Sequence, residues 1–211
     1  MDTHVTFVLD SSGSMAKIED DTKGGFNIFL EEQREEEGTA TVTLYAFNSS
    51  VKLMYQDRPI EDAPTLDNEN YKPGGKTALH DAIVRAVDET ATQIEALAPS
   101  EQPNTVIVVT LTDGKENASE TPQDIVRERV ETRREDDGWE FLFIGANQDA
   151  ALTADQMGMN QNNSLNMSHS GEGAEEAYRS TSKSVSRARQ DGTTGGYTDE
   201  DRRRQNKLDD S

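Results

Sequence analysis

The 211-residue chain contains no cysteine, so it can form neither a disulfide framework nor a thiolate metal site. It also lacks any run of about 18 apolar residues, the length that a membrane-spanning helix needs, and we expect no membrane partner. The first apolar stretch starts directly after His4, and we therefore expect no secretory signal peptide. A cytoplasmic protein in a reducing compartment is the simplest interpretation.

Basic residues are scarce. Lys and Arg together number 21 against 41 Asp and Glu, which gives a formal net charge of −20. Nucleic-acid binding is not expected, because it depends on positive charge that displaces counterions from phosphates. Two interpretations of the acidity remain: a salty cytoplasm that screens self-repulsion, or an acidic surface for a basic partner. The acids are spread along the chain rather than gathered in one block, which favours the halophilic interpretation.

Short apolar stretches alternate with segments whose apolar residues recur at helical spacing. The predicted strands are residues 5–9, 41–47, 51–55, 105–111, 140–144 and, weakly, 164–168. The stretch TVIVVTL is apolar on both faces, as a central parallel strand is, and Asn48-Ser49-Ser50 joins two strands as a hairpin. The pattern predicts an α/β fold: a doubly wound, Rossmann-like three-layer sandwich with a mostly parallel sheet and one antiparallel edge strand.

The chain divides into two parts by composition. Residues 1–189 form the predicted domain, whereas residues 190–211 contain few apolar side chains. Because so few apolar groups cannot offset the entropy of ordering, we expect residues 190–211 to be a mobile tail.

Polar side chains follow the predicted strands where a doubly wound sheet binds ligands, at the carboxyl ends of the strands. Asp10, Ser12 and Ser14 follow the first strand, and Asp113 follows the fourth, which should be its neighbour. Thr77 lies just before the second helix on a glycine-containing loop. Two carboxylates and three hydroxyls form an all-oxygen set, which suits a hard cation, with Mg²⁺ favoured and Mn²⁺ as an alternative.

This residue set resembles the metal-ion-dependent adhesion site of von Willebrand factor A domains, and the element order matches from about residue 3 to residue 189. The stretches GGFNIFLEEQ, TDGKEN and WEFLFIGANQDA further resemble small stand-alone A domains of prokaryotes and their viruses. The resemblance implies that Ser12 and Ser14 bind the ion directly and that Asp10 holds waters and the serine hydroxyls. It also implies that Thr77 and Asp113 exchange direct and water-mediated contacts, and that a partner carboxylate completes the octahedron.

Enzymatic alternatives have weaker support. The stretch GGKT imitates a phosphate-binding loop, but position 70, which should be glycine, is Asn70. A metal-dependent hydrolase using the same ion remains an alternative, although the sequence shows no general base beside the ion. A phosphatase with Asp10 as nucleophile is not excluded by residue type, although Ser12 stands where a second acid would be expected.

The favoured interpretation is therefore a non-enzymatic, metal-dependent protein-binding module whose partner offers an Asp or Glu carboxylate. A structural subunit of a larger assembly is a further alternative, and the resemblance implies work beside an AAA-type ATPase. The cytoplasmic location includes the alternative of a virus-encoded or virion-associated protein.

The net charge of −20 generates a prediction about salt. Molar KCl is expected to raise the melting temperature by about 5 °C or more over dilute buffer, because it screens the repulsion among carboxylates. Differential scanning calorimetry across a KCl series measures this shift. An unchanged melting temperature would contradict the halophilic interpretation and favour a basic partner for the acidic surface.

Overall fold

The computed structural model describes residues 2–146 and 149–209, which build one six-stranded sheet in the order β3-β2-β1-β4-β5-β6. The strands are β1 Thr3–Asp10, β2 Ala40–Phe47, β3 Val51–Pro59, β4 Thr105–Thr112, β5 Glu140–Gly145 and β6 Ser164–Asn166. Neighbouring strands pair in parallel except β2 and β3, which are antiparallel. The strand order reverses between β1 and β4. The predicted doubly wound fold with one antiparallel edge strand is confirmed.

Helices cover both faces of this sheet. They are α1 Glu19–Glu35, α2 Leu79–Glu95, α3 Gln123–Asp136, α4 Ala150–Gln156, α5 Gly171–Asp191 and α6 Asp199–Asp209. Helices α1 and α5 pack on one face, and α2, α3 and α4 pack on the other, so each face has its own apolar core. No helix within the described residues has the length and apolar character needed to cross a bilayer.

The core under α1 and α5 is built around one aromatic cluster. The Phe7 ring of β1 meets Phe26 and Phe29 of α1 edge-on, at centroid distances of 5.2 and 4.8 Å. Tyr178 of α5 packs edge-on against Phe26. A Cβ at Gly25 would lie 2.3 Å from the Tyr178 ring, so only glycine allows α1 and α5 to approach this closely. Gly25, the second glycine of GGFNIF, therefore has a packing function.

The outer edge of β3 is protected by its own side chains. Pairing between β2 and β3 shifts register near Leu44, which marks a bulge, and Lys52 and residues 56–59 of β3 are exposed. Bulges, charged side chains and the proline at the end of this strand oppose pairing with another chain.

The structure differs from the prediction of a mobile tail. Tyr197 is buried at 5% exposure, and its hydroxyl lies 2.9 Å from the Thr181 hydroxyl on α5. Gln205 of α6 is buried too, and its amide accepts a hydrogen bond from the Ser168 N–H at 2.8 Å and donates one to the Gly173 carbonyl at 3.0 Å. Apart from Tyr197, the buried side chains of this segment are mainly polar, and hydropathy therefore gives little signal for the contact.

Helix α6 also covers the outer edge of β6. The Arg202 guanidinium donates hydrogen bonds to the carbonyls of Ser164 and Asn162. Asp201 receives bonds from Ser180 on α5 and from the Thr198 N–H, and its own N–H donates to the Thr198 hydroxyl, which forms a reciprocal cap at the start of α6. The segment after residue 190 thus closes one side of the sheet.

The segment between β5 and α4 is only partly described. The sequence favours Asn147 as a cap of the following helix, but Asn147 lies outside the described residues. Within the described residues, Asp149 caps α4 and accepts a hydrogen bond from the Leu152 N–H at 3.0 Å.

Deletion of residues 193–211 is expected to lower the melting temperature by roughly 4–8 °C, because the burial of Tyr197 alone contributes about 2 kcal/mol. Tyr197→Ala in the full-length chain should reproduce part of this loss. Thermal unfolding followed by circular dichroism measures both. A shift below one degree for the deletion would show that the docked segment adds nothing to stability.

Candidate metal centre

Asp10 is the last residue of β1 and is fully buried. Its Oδ1 accepts a hydrogen bond from the Ser12 N–H at 2.6 Å, and its Oδ2 accepts one from the Thr112 hydroxyl at 2.6 Å. The pKa of Asp10 is raised to about 6, mainly by burial and also by the nearby charge of Asp113, against the lowering effect of these bonds. A cation beside Asp10 would offset the cost of this buried charge.

Two serine hydroxyls and the second carboxylate form a continuous row of oxygens. The Ser12 and Ser14 Oγ atoms are 3.2 Å apart, and the Ser14 hydroxyl donates to Asp113 Oδ1 at 2.5 Å. Adjacent ligands of an octahedral ion with bonds of 2.0–2.1 Å are ~2.9 Å apart. The spacing within the row is therefore close to that of neighbouring metal ligands.

Thr77 joins this row from the loop before α2. Its N–H donates to Asn117 Oδ1 at 3.0 Å, and its carbonyl accepts from the Asn117 N–H at 3.1 Å, which fixes the loop against the one after β4. A Cβ at Gly114 would lie 2.8 Å from the Thr77 hydroxyl oxygen and 3.4 Å from that of Ser14. Both hydroxyls thus face the backbone next to Asp113, and the structure brings all five predicted residues together.

The donor set fits a hard divalent cation. Its polar groups are hydroxyl and carboxylate oxygens, which suit Mg²⁺ or Mn²⁺. Within residues 2–146 and 149–209, no group of three or more His, Cys, Asp or Glu side chains is arranged to hold a metal. An ion at this site would therefore depend on the hydroxyls of Ser12, Ser14 and Thr77 as well as on the two carboxylates.

Backbone contacts hold the loops that carry these residues. The Gly13 N–H donates to the Gly75 carbonyl at 3.1 Å, and the Gly74 N–H donates to the Ser11 carbonyl at 2.8 Å. The φ of Gly75 is +85°, and a Cβ there would lie 2.9 Å from the Ser49 hydroxyl, so this position requires glycine. The glycine pair before Thr77 therefore docks the loop onto the serine turn.

Glu116 stabilises the loop after β4. Its carboxylate accepts hydrogen bonds from the N–H groups of His80, Ala118 and Ser119, which keeps its pKa below the ordinary value although burial opposes this. The carboxylate is thus occupied by the backbone of its own loop.

Three supporting residues escape sequence reasoning. Thr112 bonds the Asp10 carboxylate, and the Tyr71 hydroxyl donates to the Asp10 carbonyl at 2.6 Å. His169, in the loop between β6 and α5, has its Nε2 2.9 Å from Asp113 Oδ2, within ion-pair distance but without hydrogen-bond alignment. The side chain of His169 is 18% exposed. A lone histidine before a helix carries no sequence signal, whereas Thr112 is marked only by its position beside Asp113.

The fold and the site together define an α/β domain with a hydroxyl-rich candidate cation site at the switch point of its sheet. The chain belongs to the von Willebrand factor type A domain family, whose sequence model matches residues 4–185. No curated protein matches the chain significantly.

Solved structures share this fold at low sequence identity. A von Willebrand factor type A protein from Catenulispora acidiphila is 14% identical with a TM-score of 0.63, over 88% of this chain and 43% of that one. The pilus adhesin SpaC from Lactobacillus rhamnosus GG is 12% identical with a TM-score of 0.68, over 89% and 30%. Proximal thread matrix protein 1 from the mussel byssus, with a zinc-occupied MIDAS motif, is 17% identical with a TM-score of 0.61, over 85% and 46%. This chain spans less than half the length of each.

Asp10→Asn is expected to raise the melting temperature by a few degrees at pH 7.5 in the presence of a chelator. The raised pKa means that ionised Asp10 destabilises the folded state by up to about 3 kcal/mol, a cost that grows as the pH rises from 3.8 to about 6. The gain should therefore vanish near pH 4. Thermal unfolding at both pH values measures it, with the exposed Asp62→Asn as the charge-matched control. A lower melting temperature for Asp10→Asn at both pH values would contradict this account.

Proposed function

We propose that this domain is a metal-dependent protein-binding module. Ser12, Ser14 and Thr77 would hold a divalent ion, Mg²⁺ or Mn²⁺, together with Asp10 and Asp113. A carboxylate from a protein partner would complete the coordination. The observation that carries this proposal is the row of oxygens formed by Ser12, Ser14 and Asp113, with contacts of 3.2 and 2.5 Å and with Ser14 exposed to solvent.

The chemistry follows from the charge of the donors. Hydroxyl ligands are neutral, so a bound ion would keep more positive charge than it does among several carboxylates, and it would attract a further anionic oxygen. Asp10 is buried and bonded on both oxygens, which suits it to orienting the serine turn. Ser14 faces solvent, and a partner could approach from this side.

A hydrolase is the second candidate. His169 lies beside Asp113, and a histidine at this position could act as the general base that the sequence did not show. The expectation that no general base lies near the ion rested on sequence alone. His169 Nε2 is nevertheless buried and directed at Asp113 rather than at solvent, which supports a positioning role over that of a base. The adhesin and matrix proteins among the similar folds also favour binding over catalysis.

Ser14→Ala is expected to weaken Mn²⁺ binding by about tenfold or more, because it removes one neutral ligand from the row. Isothermal titration calorimetry with Mg²⁺ and Mn²⁺ measures the change. Ser11→Ala is the matched control, since the Ser11 hydroxyl donates to the Phe47 carbonyl and points away from the row. Equal affinities of Ser14→Ala and wild type, or no binding by wild type at millimolar ion, would contradict the proposed site.

Two further measurements separate binding from catalysis. Water-proton relaxation of bound Mn²⁺ should fall when a carboxylate-bearing peptide displaces its water. Turnover of phosphate and acyl esters in Mg²⁺ should not exceed that of Asp113→Ala. Turnover that disappears in both Asp113→Ala and His169→Ala would favour the hydrolase.

A further inference from the structure

Five of the eight lysines lie around the carboxyl ends of the strands, although the chain is strongly acidic. They are Lys17, Lys52, Lys72, Lys76 and Lys115, and we call them the lysine rim. Lys17 and Lys115 closely follow Ser14 and Asp113, Lys72 and Lys76 precede Thr77, and Lys52 follows the β2–β3 hairpin. All five are exposed. This end of the sheet therefore differs in charge from the rest of the molecule.

The rim lysines are free of ion pairs in the described part of the chain, where Lys23 is the lysine that pairs with acids. Eight of the thirteen arginines, by contrast, pair with acids, and none of the thirteen lies in residues 11–18, 48–52, 67–78 or 113–122. Arginines therefore form most of the ion pairs on the helices, whereas the ammonium groups of the lysine rim remain available to a partner.

The acids in these loops are largely occupied. Besides Asp113 they are Asp67, Glu69, Glu116 and Glu120. Asp67 accepts hydrogen bonds from the N–H groups of Glu69 and Asn70, and Glu116 is held by its own loop. Within residues 11–18, 48–52, 67–78 and 113–122, five lysines balance five acids, of which Glu69 and Glu120 are not engaged with the backbone. Of the acids that follow directly, Glu19 and Asp20 pair with Lys23. These loops are therefore formally neutral in a chain of net charge −20, and a divalent ion would add positive charge to them.

A cleft beside the candidate metal centre carries two of the rim lysines. It has a volume of about 240 Å³ and lies between the β2–β3 hairpin and the loop before α2. Its lining includes Asn48, Ser50, Lys52, Glu69, Tyr71 and Lys72. Tyr71 also donates its hydroxyl proton to the Asp10 carbonyl, so the cleft and the candidate centre share a wall. A partner side chain bound in this cleft would therefore lie next to a second partner side chain that reaches the ion.

We propose that the partner presents an acidic segment with at least two carboxylates, one for the ion and one for the cleft at Lys52 and Lys72. This inference rests on the proposed metal-dependent binding and adds the chemistry of the partner. A partner rich in Asp and Glu would be repelled by most of this chain, and the rim is the surface where that repulsion is offset. Complementary charge of this kind sets orientation and association rate.

The test uses fluorescence anisotropy with labelled ten-residue peptides in Mn²⁺: one with alternating Glu and Gly, one with a single Glu, and one with Gln in place of Glu. The Glu-rich peptide is expected to bind best. The Lys52→Glu, Lys72→Glu double variant should weaken its binding by about tenfold and reduce its salt dependence. The Lys183→Glu, Lys207→Glu double variant makes the same charge change on α5 and α6, and should alter binding less than twofold.

Calorimetric Mn²⁺ binding by the same variants separates the two proposals. If the Lys52→Glu, Lys72→Glu variant still binds Mn²⁺ but no longer binds the Glu-rich peptide, the result supports a partner with an acidic segment. Three outcomes would overturn it. The two double variants could lose peptide binding equally, or the single-Glu and Glu-rich peptides could bind equally well. An oligothymidine could also bind more tightly than the Glu-rich peptide. Lysine-dependent peptide binding without any Mn²⁺ binding would support the lysine rim but refute the proposed ion.

Discussion

Asp10 and Asp113 are two buried carboxylates held at neighbouring strand ends, and their environment shapes the loops at this end of the sheet. Removing a carboxylate from water costs free energy, and a second carboxylate nearby adds to that cost. The surrounding loops supply donors that compensate: the Ser12 N–H and the Thr112 hydroxyl for Asp10, and the Ser14 hydroxyl for Asp113. The turn after β1 can adopt this shape because the carboxylates orient it. A divalent cation would relieve the remaining repulsion.

The strands that bring these carboxylates together are held in place by the packing of helices α1 and α5 on one face of the sheet. Phe7 fixes β1 against α1, and Gly25 lets α5 approach α1 closely enough for Tyr178 to reach the same aromatic cluster. Helix α5 begins next to His169, which contacts Asp113. The closely packed helices α1 and α5 are therefore connected to the candidate centre through one short loop. A displacement of α5 would change the contact between His169 and Asp113.

Much of this arrangement could be predicted from sequence because it depends on order along the chain. Strand-helix alternation identifies the doubly wound sheet, and that sheet brings the residues after β1 and β4 together. Contacts between distant positions are different. The bond of Tyr71 to the Asp10 carbonyl joins residues 61 positions apart, and no pattern near either residue announces it. The docked C-terminal segment was missed for a related reason, since Gln205 and Asp201 are polar side chains whose burial depends on partners in α5 and in the loop after β6.

The two outer edges of the sheet are both closed to further strands, by different means. On one side the Arg202 guanidinium and helix α6 occupy the backbone carbonyls beside β6. On the other side β3 has an irregular register and an exposed lysine, and ends in Pro59. Growth of the sheet by adding strands from a second molecule is therefore disfavoured in both directions. A domain whose sheet edges are covered in this way resists association through added strands, and it still presents the loops at the strand ends to a chosen partner.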